Sequence, residues 1–204
     1  MSRPIAFALA VALAASEPGP AVAQAQLDQT SPQRTGPDAP QPPRRATTLD
    51  DLFARLAAAK DETEANGVAN LIERRFGRSG SDTADLLMER AGIALGAKDA
   101  PLAVELLDRV TSLKPDWAEA WSRRATAFYL LDDTAAAVAD LREALRREPR
   151  HFGAWSALGA IALSNDDKKR ALEAFRHALA IHPYLEDAKK AVERLAPEVD
   201  GRDL

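Results

Sequence analysis

No cysteine occurs in the 204 residues, which excludes disulfides, thiolate zinc sites, a cysteine nucleophile and a lipid-modified N-terminal cysteine. Basic excess is also lacking. Lys and Arg number 27 against 31 Asp and Glu, a net charge of −4, so a dedicated nucleic-acid binder, which needs clustered cations to neutralise phosphates, is not expected. Aromatics make up only 5%. No HExxH, GxSxG or glycine-rich phosphate loop is present, so the motifs that carry zinc, serine and nucleotide chemistry are missing. No catalytic site, metal or cofactor is expected. What is abundant is alanine, 43 residues, a composition suited to helices that pack closely through small side chains.

The first apolar run, Ile5 to Ala15, is eleven residues long, too short for a permanent membrane-spanning helix of about 20 residues. It follows Arg3 and precedes Ala21-Val22-Ala23 and Ala23-Gln24-Ala25, the order of a secretory signal peptide. Residues 1–23 are therefore expected to be a signal peptide, with cleavage after Ala23 or Ala25. An uncleaved anchor or a misplaced start codon are the competing readings. Export would place the mature chain in the periplasm of a Gram-negative bacterium, with no stable membrane insertion. Residues 24–46 hold Pro32, Pro37, Pro40, Pro42 and Pro43 with almost nothing apolar. Such a stretch cannot offset its ordering entropy and reads as a disordered linker, either a spacer or an inert tail.

A repeat of 34 residues follows. Pro115, Pro149 and Pro183 keep that step, as do Ala103, Ala137 and Ala171, and Leu107, Leu141 and Phe175. Leu87, Trp121 and Trp155 keep it too, together with Ala91, Ala125 and Gly159, and Val110, Ala144 and Ala178. The units are 84–117, 118–151 and 152–185. Within each, spacings of i, i+3, i+4 and i+7 stripe one face of two successive helices. Small columns mark close helix approach and large ones fill the spaces between. One helix pair leaves a side uncovered, so stacked copies are required.

These columns resemble the tetratricopeptide repeat family, whose pattern is followed at Trp155, Leu158, Gly159, Ala171, Phe175, Ala178 and Pro183. The second unit matches at Trp121, Ala125, Phe128, Ala137, Leu141, Ala144 and Pro149, and departs at Arg124, where the family has Leu; Arg90 departs in the same column. The resemblance implies an all-α, right-handed α-solenoid. Residues 47–83 read as an irregular N-terminal helix pair, opened by a Thr48–Asp51 capping box; at about one repeat length, with Phe53, Leu56, Ala57 and Ala69 in register and Glu73 breaking it, the pair is expected to be an irregular repeat. Residues 186–204 read as a capping helix ending at Pro197, backed by Lys189, Lys190, Glu193 and Arg194, with a short tail.

His151 and His182 fall in inter-repeat turns and His177 on a second helix, without metal-ligand spacing. Asp132-Asp133 and Asp166-Asp167 fall in the turns within repeats, where carboxylates cap helices. Arg142, Arg146, Arg147 and Arg150, interleaved with Asp140, Glu143 and Glu148, read as a solvated convex face, or alternatively as a contact for an anionic partner.

In the family, first helices line a concave groove that holds a peptide or helix. Carried onto this chain, the resemblance implies groove residues Asp85, Met88, Glu119, Ser122, Arg123, Thr126, Tyr129, Ser156 and Leu163. The positions that grip a C-terminal carboxylate in co-chaperones hold Met88, Gly92, Arg123, Gly153 and Ala157, so only Arg123 could serve, and an apolar or amphipathic helix suits the groove better. Tyr129 is either an anchor or a packing residue between repeats. The function expected is that of a non-catalytic exported adaptor binding another envelope protein. A self-associating helical module, or a regulatory subunit of a cell-envelope enzyme, are the alternatives.

Overall fold

A computed structural model describes residues 47–202, all within one compact unit; the signal-peptide and linker expectations for residues 1–46 lie outside the described residues. Among the described residues the regular structure is all helical. The helices are α1 (Leu49–Ala57), α2 (Glu62–Phe76), α3 (Asp82–Gly96), α4 (Ala100–Leu113), α5 (Ala118–Leu130), α6 (Thr134–Arg147), α7 (Phe152–Ser164), α8 (Lys168–Ile181) and α9 (Glu186–Val199). A short 3-10 turn, Asp200–Arg202, follows.

Local chemistry sets these boundaries. The Thr48 hydroxyl accepts from the Asp51 amide at 3.1 Å while the Asp51 carboxylate accepts from the Thr48 amide at 2.8 Å, a reciprocal capping box. Asp99, Asp133 and Asp167 cap α4, α6 and α8 through side-chain oxygens that accept from the amides three residues on. Each is preceded by a residue in the left-handed region, Lys98, Asp132 and Asp166, with φ of 62°, 60° and 58°. The paired aspartates therefore turn the chain and cap the next helix.

Helices pair as α3–α4, α5–α6 and α7–α8, and α4 packs on α5, α6 on α7 and α8 on α9. The small columns sit at the closest approaches: Ala91, Ala125, Ala103, Ala137 and Ala171 are 2% exposed or less. The repeating tryptophans have a polar role as well. The Trp121 and Trp155 indole N–H groups each donate to the carbonyl of the proline six residues earlier, Pro115 and Pro149, at 2.9 Å. This bond ties each first helix to the turn that delivers it.

Two sequence expectations need correction. Helix α9 runs through Pro197 to Val199: a proline in the last turn forfeits a single bond, the one its amide would give to the carbonyl of exposed Glu193, and that carbonyl is left to solvent like those of the helix end that follows. The second concerns α1 and α2. They form a helix pair, but it does not stack on α3–α4 as a repeat would. Helix α1 is only nine residues long, against thirteen to fifteen for the first helices of the repeats, and Ala57, in the column of Ala91, Ala125 and Gly159, is exposed.

Instead the pair lies across the turns between repeats. Leu52, Phe53, Leu56, Val68, Ala69 and Ile72 form a core with Phe152, against which Ile181 and Tyr184 pack. The Trp117 indole donates to the Phe76 carbonyl at 2.5 Å, the Phe76 ring stacks on His151 at 4.7 Å, and the Tyr184 hydroxyl donates to the Ala59 carbonyl at 3.4 Å. Arg150 pairs with Asp50 at 2.7 Å and lies 4.2 Å over the Phe53 ring. Three successive inter-repeat turns, at Trp117, at Arg150–Phe152 and at Tyr184, thus hold one helix pair.

Candidate functional site

The nine residues carried over as groove positions divide into two groups. Four are engaged in structure. The Asp85 carboxylate accepts from the Ser79 hydroxyl at 2.6 Å and from the Ser79 amide at 2.8 Å; these bonds hold it below the usual carboxylate range. It fastens the loop before α3. Met88 packs against Ala84, Ala91 and Trp117. Leu163 packs toward the α8–α9 core. Glu119 is nearly covered, its side chain 11% exposed, with one oxygen 3.0 Å from His151 Nε2 and the other 2.6 Å from Arg123 Nε. Burial works to raise its pKa, but the hydrogen bonds and charges of His151 and Arg123 outweigh burial and leave it lowered.

The other five face outward or partly so. Ser122 and Ser156 are half-buried; Arg123, Thr126 and Tyr129 are exposed. Tyr129 is 43% exposed, so its ring is not sealed between repeats. Gly92, Gly153 and Ala160 beside them are exposed too, and they leave the surface free of bulky side chains. Met88, Gly92, Leu95, Glu119 and Arg123 share a pocket of about 250 Å³ whose edge is formed by Gly77, just past α2. The N-terminal helix pair therefore borders one end of this row.

Three features were not foreseen from residue spacing. Arg124, the departure from the family pattern, is an ion-pair hub: its Nε and one terminal nitrogen reach both oxygens of buried Asp140 at 2.7 and 2.8 Å, and the other reaches Asp108 at 2.7 Å. Its guanidinium also lies 4.7 Å over the Trp121 ring. These bonds, Asp140 first, raise the Arg124 pKa. The expected histidine positions hold, but two of the three are buried. His151 Nδ1 accepts from the Ala154 amide at 3.2 Å and so caps α7, which leaves Nε2 to donate to Glu119. His182, 2% exposed, meets Phe152 edge-on at 5.2 Å, and His177 stacks on Trp155 at 4.4 Å.

The third feature is a cleft of about 420 Å³ between α6, α7 and α8, lined by Val138, Arg142, Trp155, Leu158, Ile161 and His177. Its equivalent one repeat earlier is filled by Arg124, Phe128 and Asp140. Thirty-four residues on, those positions are Leu158, Ala162 and Ala174, too small to close it. Comparing columns between repeats, rather than matching each to a pattern, is the signal that reveals it. Of the arginine cluster, Arg146 and Arg147 pair with Glu143 and Arg150 with Glu148 and Asp50, while Arg142 borders the cleft. Among the described residues no group of His, Asp and Glu converges as a metal site, and no helix is long and apolar enough to cross a membrane.

Comparison with known proteins agrees with the helical stack. A tetratricopeptide repeat model matches residues 118–151. A TPR repeat-containing protein of Rhizobium etli is 35% identical over 198 residues, covering 97% of this chain and 92% of that protein. The TPR domain of Arabidopsis OM64 superposes with a TM-score of 0.55 at 26% identity, over 58% of this chain and 98% of that domain. The first TPR of Spaghetti (RPAP3), solved bound to an HSP90 peptide, has a TM-score of 0.55 at 18% identity over 59% of this chain and 95% of its own, a likeness of fold alone. With a relative of this identity aligned along almost the whole of both sequences, the chain belongs to the tetratricopeptide repeat family.

Proposed function

We propose that the chain is a non-catalytic, exported adaptor that binds a peptide or helix of another envelope protein along the face formed by α3, α5 and α7. TPR domains commonly mediate protein–protein interaction. The observation that carries the reading is the open row Arg123, Thr126 and Tyr129, flanked by Ser122 and Ser156 and by the bare positions Gly92, Gly153 and Ala160. An exposed aromatic and an arginine beside small residues match the anchor chemistry of binding hot spots. Export rests on the signal-like order of residues 1–23.

The ligand is best an apolar or amphipathic segment. Arg123, the one cation at the carboxylate-gripping positions, is already bonded to Glu119 at 2.6 Å, which weakens any capture of a free C-terminus. Placing a photo-crosslinking residue at Thr126 of the signal-bearing protein in its native cells tests the groove. A discrete adduct with one envelope protein is expected, lost when Tyr129 is replaced by Ala. A folded, exported protein that gives no adduct at Thr126 or Ser122 would overturn the proposal.

A further inference from the structure

The helix stack has two ends, and they are finished differently. Within the stack, each first helix is sealed by the pair before it. Ala120, Ala154 and Ala188 occupy one column and are all 0% exposed; Ala127, Ile161 and Leu195 occupy another and are at most 5% exposed. In the first repeat the same two columns hold Leu86 and Ile93, which are 49% and 66% exposed. On α4, Leu102 and Leu113 are exposed by 42% and 53%, on the same stripe as Leu106, whose counterparts Asp140 and Ala174 are buried against the preceding helices.

The cause is the placement of α1 and α2 across the inter-repeat turns, which leaves the outer side of α3–α4 without a neighbour among the described residues. That side carries apolar residues as large as its buried equivalents or larger, Leu86 standing where Ala120, Ala154 and Ala188 are buried and Ile93 where Ala127, Ile161 and Leu195 are, whereas a solvated end would carry polar ones. The C-terminal end shows the contrast: α9 presents exposed Lys189, Lys190, Glu193 and Arg194.

We infer that the α3–α4 end face is a self-association surface, closed by the same face of a second copy about a two-fold axis. Three observations choose this occupant. The face is self-complementary in charge: Glu89 and Arg90 lie between Leu86 and Ile93, and Glu105 and Arg109, already paired with each other at 2.6 Å, lie between Leu102 and Leu113. These four carry equal numbers of acids and bases, so no net charge of theirs opposes the meeting with a second copy about a two-fold axis. Head-to-tail stacking is disfavoured because α9 offers a charged face. Once residues 1–23 are removed, as the proposed export requires, the chain's own segment before Thr47 is a poor filler: between Gln24 and Ala46, Leu27 is the one aliphatic side chain larger than alanine, prolines aside. Large apolar residues exposed together on one face, unlike the same residues scattered singly, mark an interaction surface. The surface is separate from Thr126 and Tyr129, so this inference and the proposed groove stand or fall independently.

Sedimentation of the chain purified after export, from micromolar to hundreds of micromolar, tests it. A concentration-dependent dimer is expected, with the dissociation constant raised at least about tenfold by Ile93→Glu and, at concentrations where both chains are monomers, an unchanged melting temperature, because the residue is exposed in the monomer. The chain has no cysteine, so Ile93→Cys carries a sole thiol, and a spin label there should report a short inter-chain distance in the dimer. A monomer at every concentration, or a dimer indifferent to Ile93→Glu with distant labels, would overturn the inference. So would a lowered melting temperature in Ile93→Glu at concentrations where both chains are monomers, which would mean that the chain covers this face itself.

Discussion

Gly159 on α7 lies directly under the ring of Phe175 on α8: a Cβ placed at Gly159 would come within 2.9 Å of three ring carbons. In the two preceding repeats the same pair of columns holds Ala125 with Leu141 and Ala91 with Leu107. The extra volume of the ring is thus matched by one missing methyl group. Gly159→Ala should overpack the pair and cost about 1–3 kcal/mol. Combined with Phe175→Leu, which recreates the pairing of the second repeat, it should cost less than the sum of the single changes. Urea denaturation of the four chains measures this, and strict additivity would show that the two residues do not share the space.

Arg124 and Asp140 make a second exchange between repeats testable. Their side chains are 16% and 7% exposed, so removing one partner strands a charge in a dry crevice. Arg124→Leu alone should destabilise the chain by about 3 kcal/mol. The double variant Arg124→Leu with Asp140→Ala copies Leu158 and Ala174 of the third repeat. It should recover most of the loss, and a double variant no better than the single would count against the stranded-charge account.

Acidification should act in two stages. Burial pushes the His182 imidazole below its ordinary value, so the unfolded chain takes up a proton that the folded chain resists. Stability from this site is complete above the ordinary value, about 6.5, and is lost as pH falls through the folded value. Glu119, with its pKa lowered, contributes stability that is lost further down, below the ordinary glutamate range. Melting temperature followed from pH 8 to pH 3 should fall in both windows, from about pH 6.5 downward and from about pH 4.3 downward. His182→Gln should flatten the upper decline and Glu119→Gln the lower one. A His182→Gln profile parallel to the parent would remove His182 from the account.

The clasp on the N-terminal pair turns on Arg150, which joins Asp50, Glu148 and the Phe53 ring. Arg150→Ala should speed amide exchange in α1 and α2, at Val68 and Ile72 above all, by about tenfold, while α5 to α8 keep their protection. Uniform change across the chain would mean that the pair is not a separate unit of opening.

The repeat was readable because its columns are set by packing: alanine where helices touch, leucine or an aromatic where they do not, proline where the second helix must stop. The turn aspartates were readable for the same local reason. The placement of α1 and α2 was not. Phe53, Leu56, Ala57 and Ala69 keep the repeat register, and nothing in a periodic pattern reveals that α1 stops at Ala57, too short to reach along α3. Nor does the register show that the pair's apolar stripe matches Phe152, Ile181 and Tyr184, a hundred residues away. At the candidate groove, the family resemblance named Thr126 and Tyr129 as groove positions and left Tyr129 open between anchor and packing residue, and it did not reveal that Asp85 and Glu119 spend their oxygens on Ser79, His151 and Arg123.

The bond from Arg150 to Asp50 spans 100 residues of sequence, and that from Tyr184 to Ala59 spans 125. A simple stack has only neighbour contacts, so it frays from its ends and nucleates anywhere along its length. Here the first helices grip the turns that open and close the third repeat, and contacts of such high sequence separation must wait until those turns exist. The N-terminal pair leaves the ribosome before the repeats and has no complete seat until Tyr184 has been made. The third repeat cannot peel away without opening that seat, so the clasp couples the N-terminal pair to a repeat that a stack of neighbour contacts alone would leave independent of it.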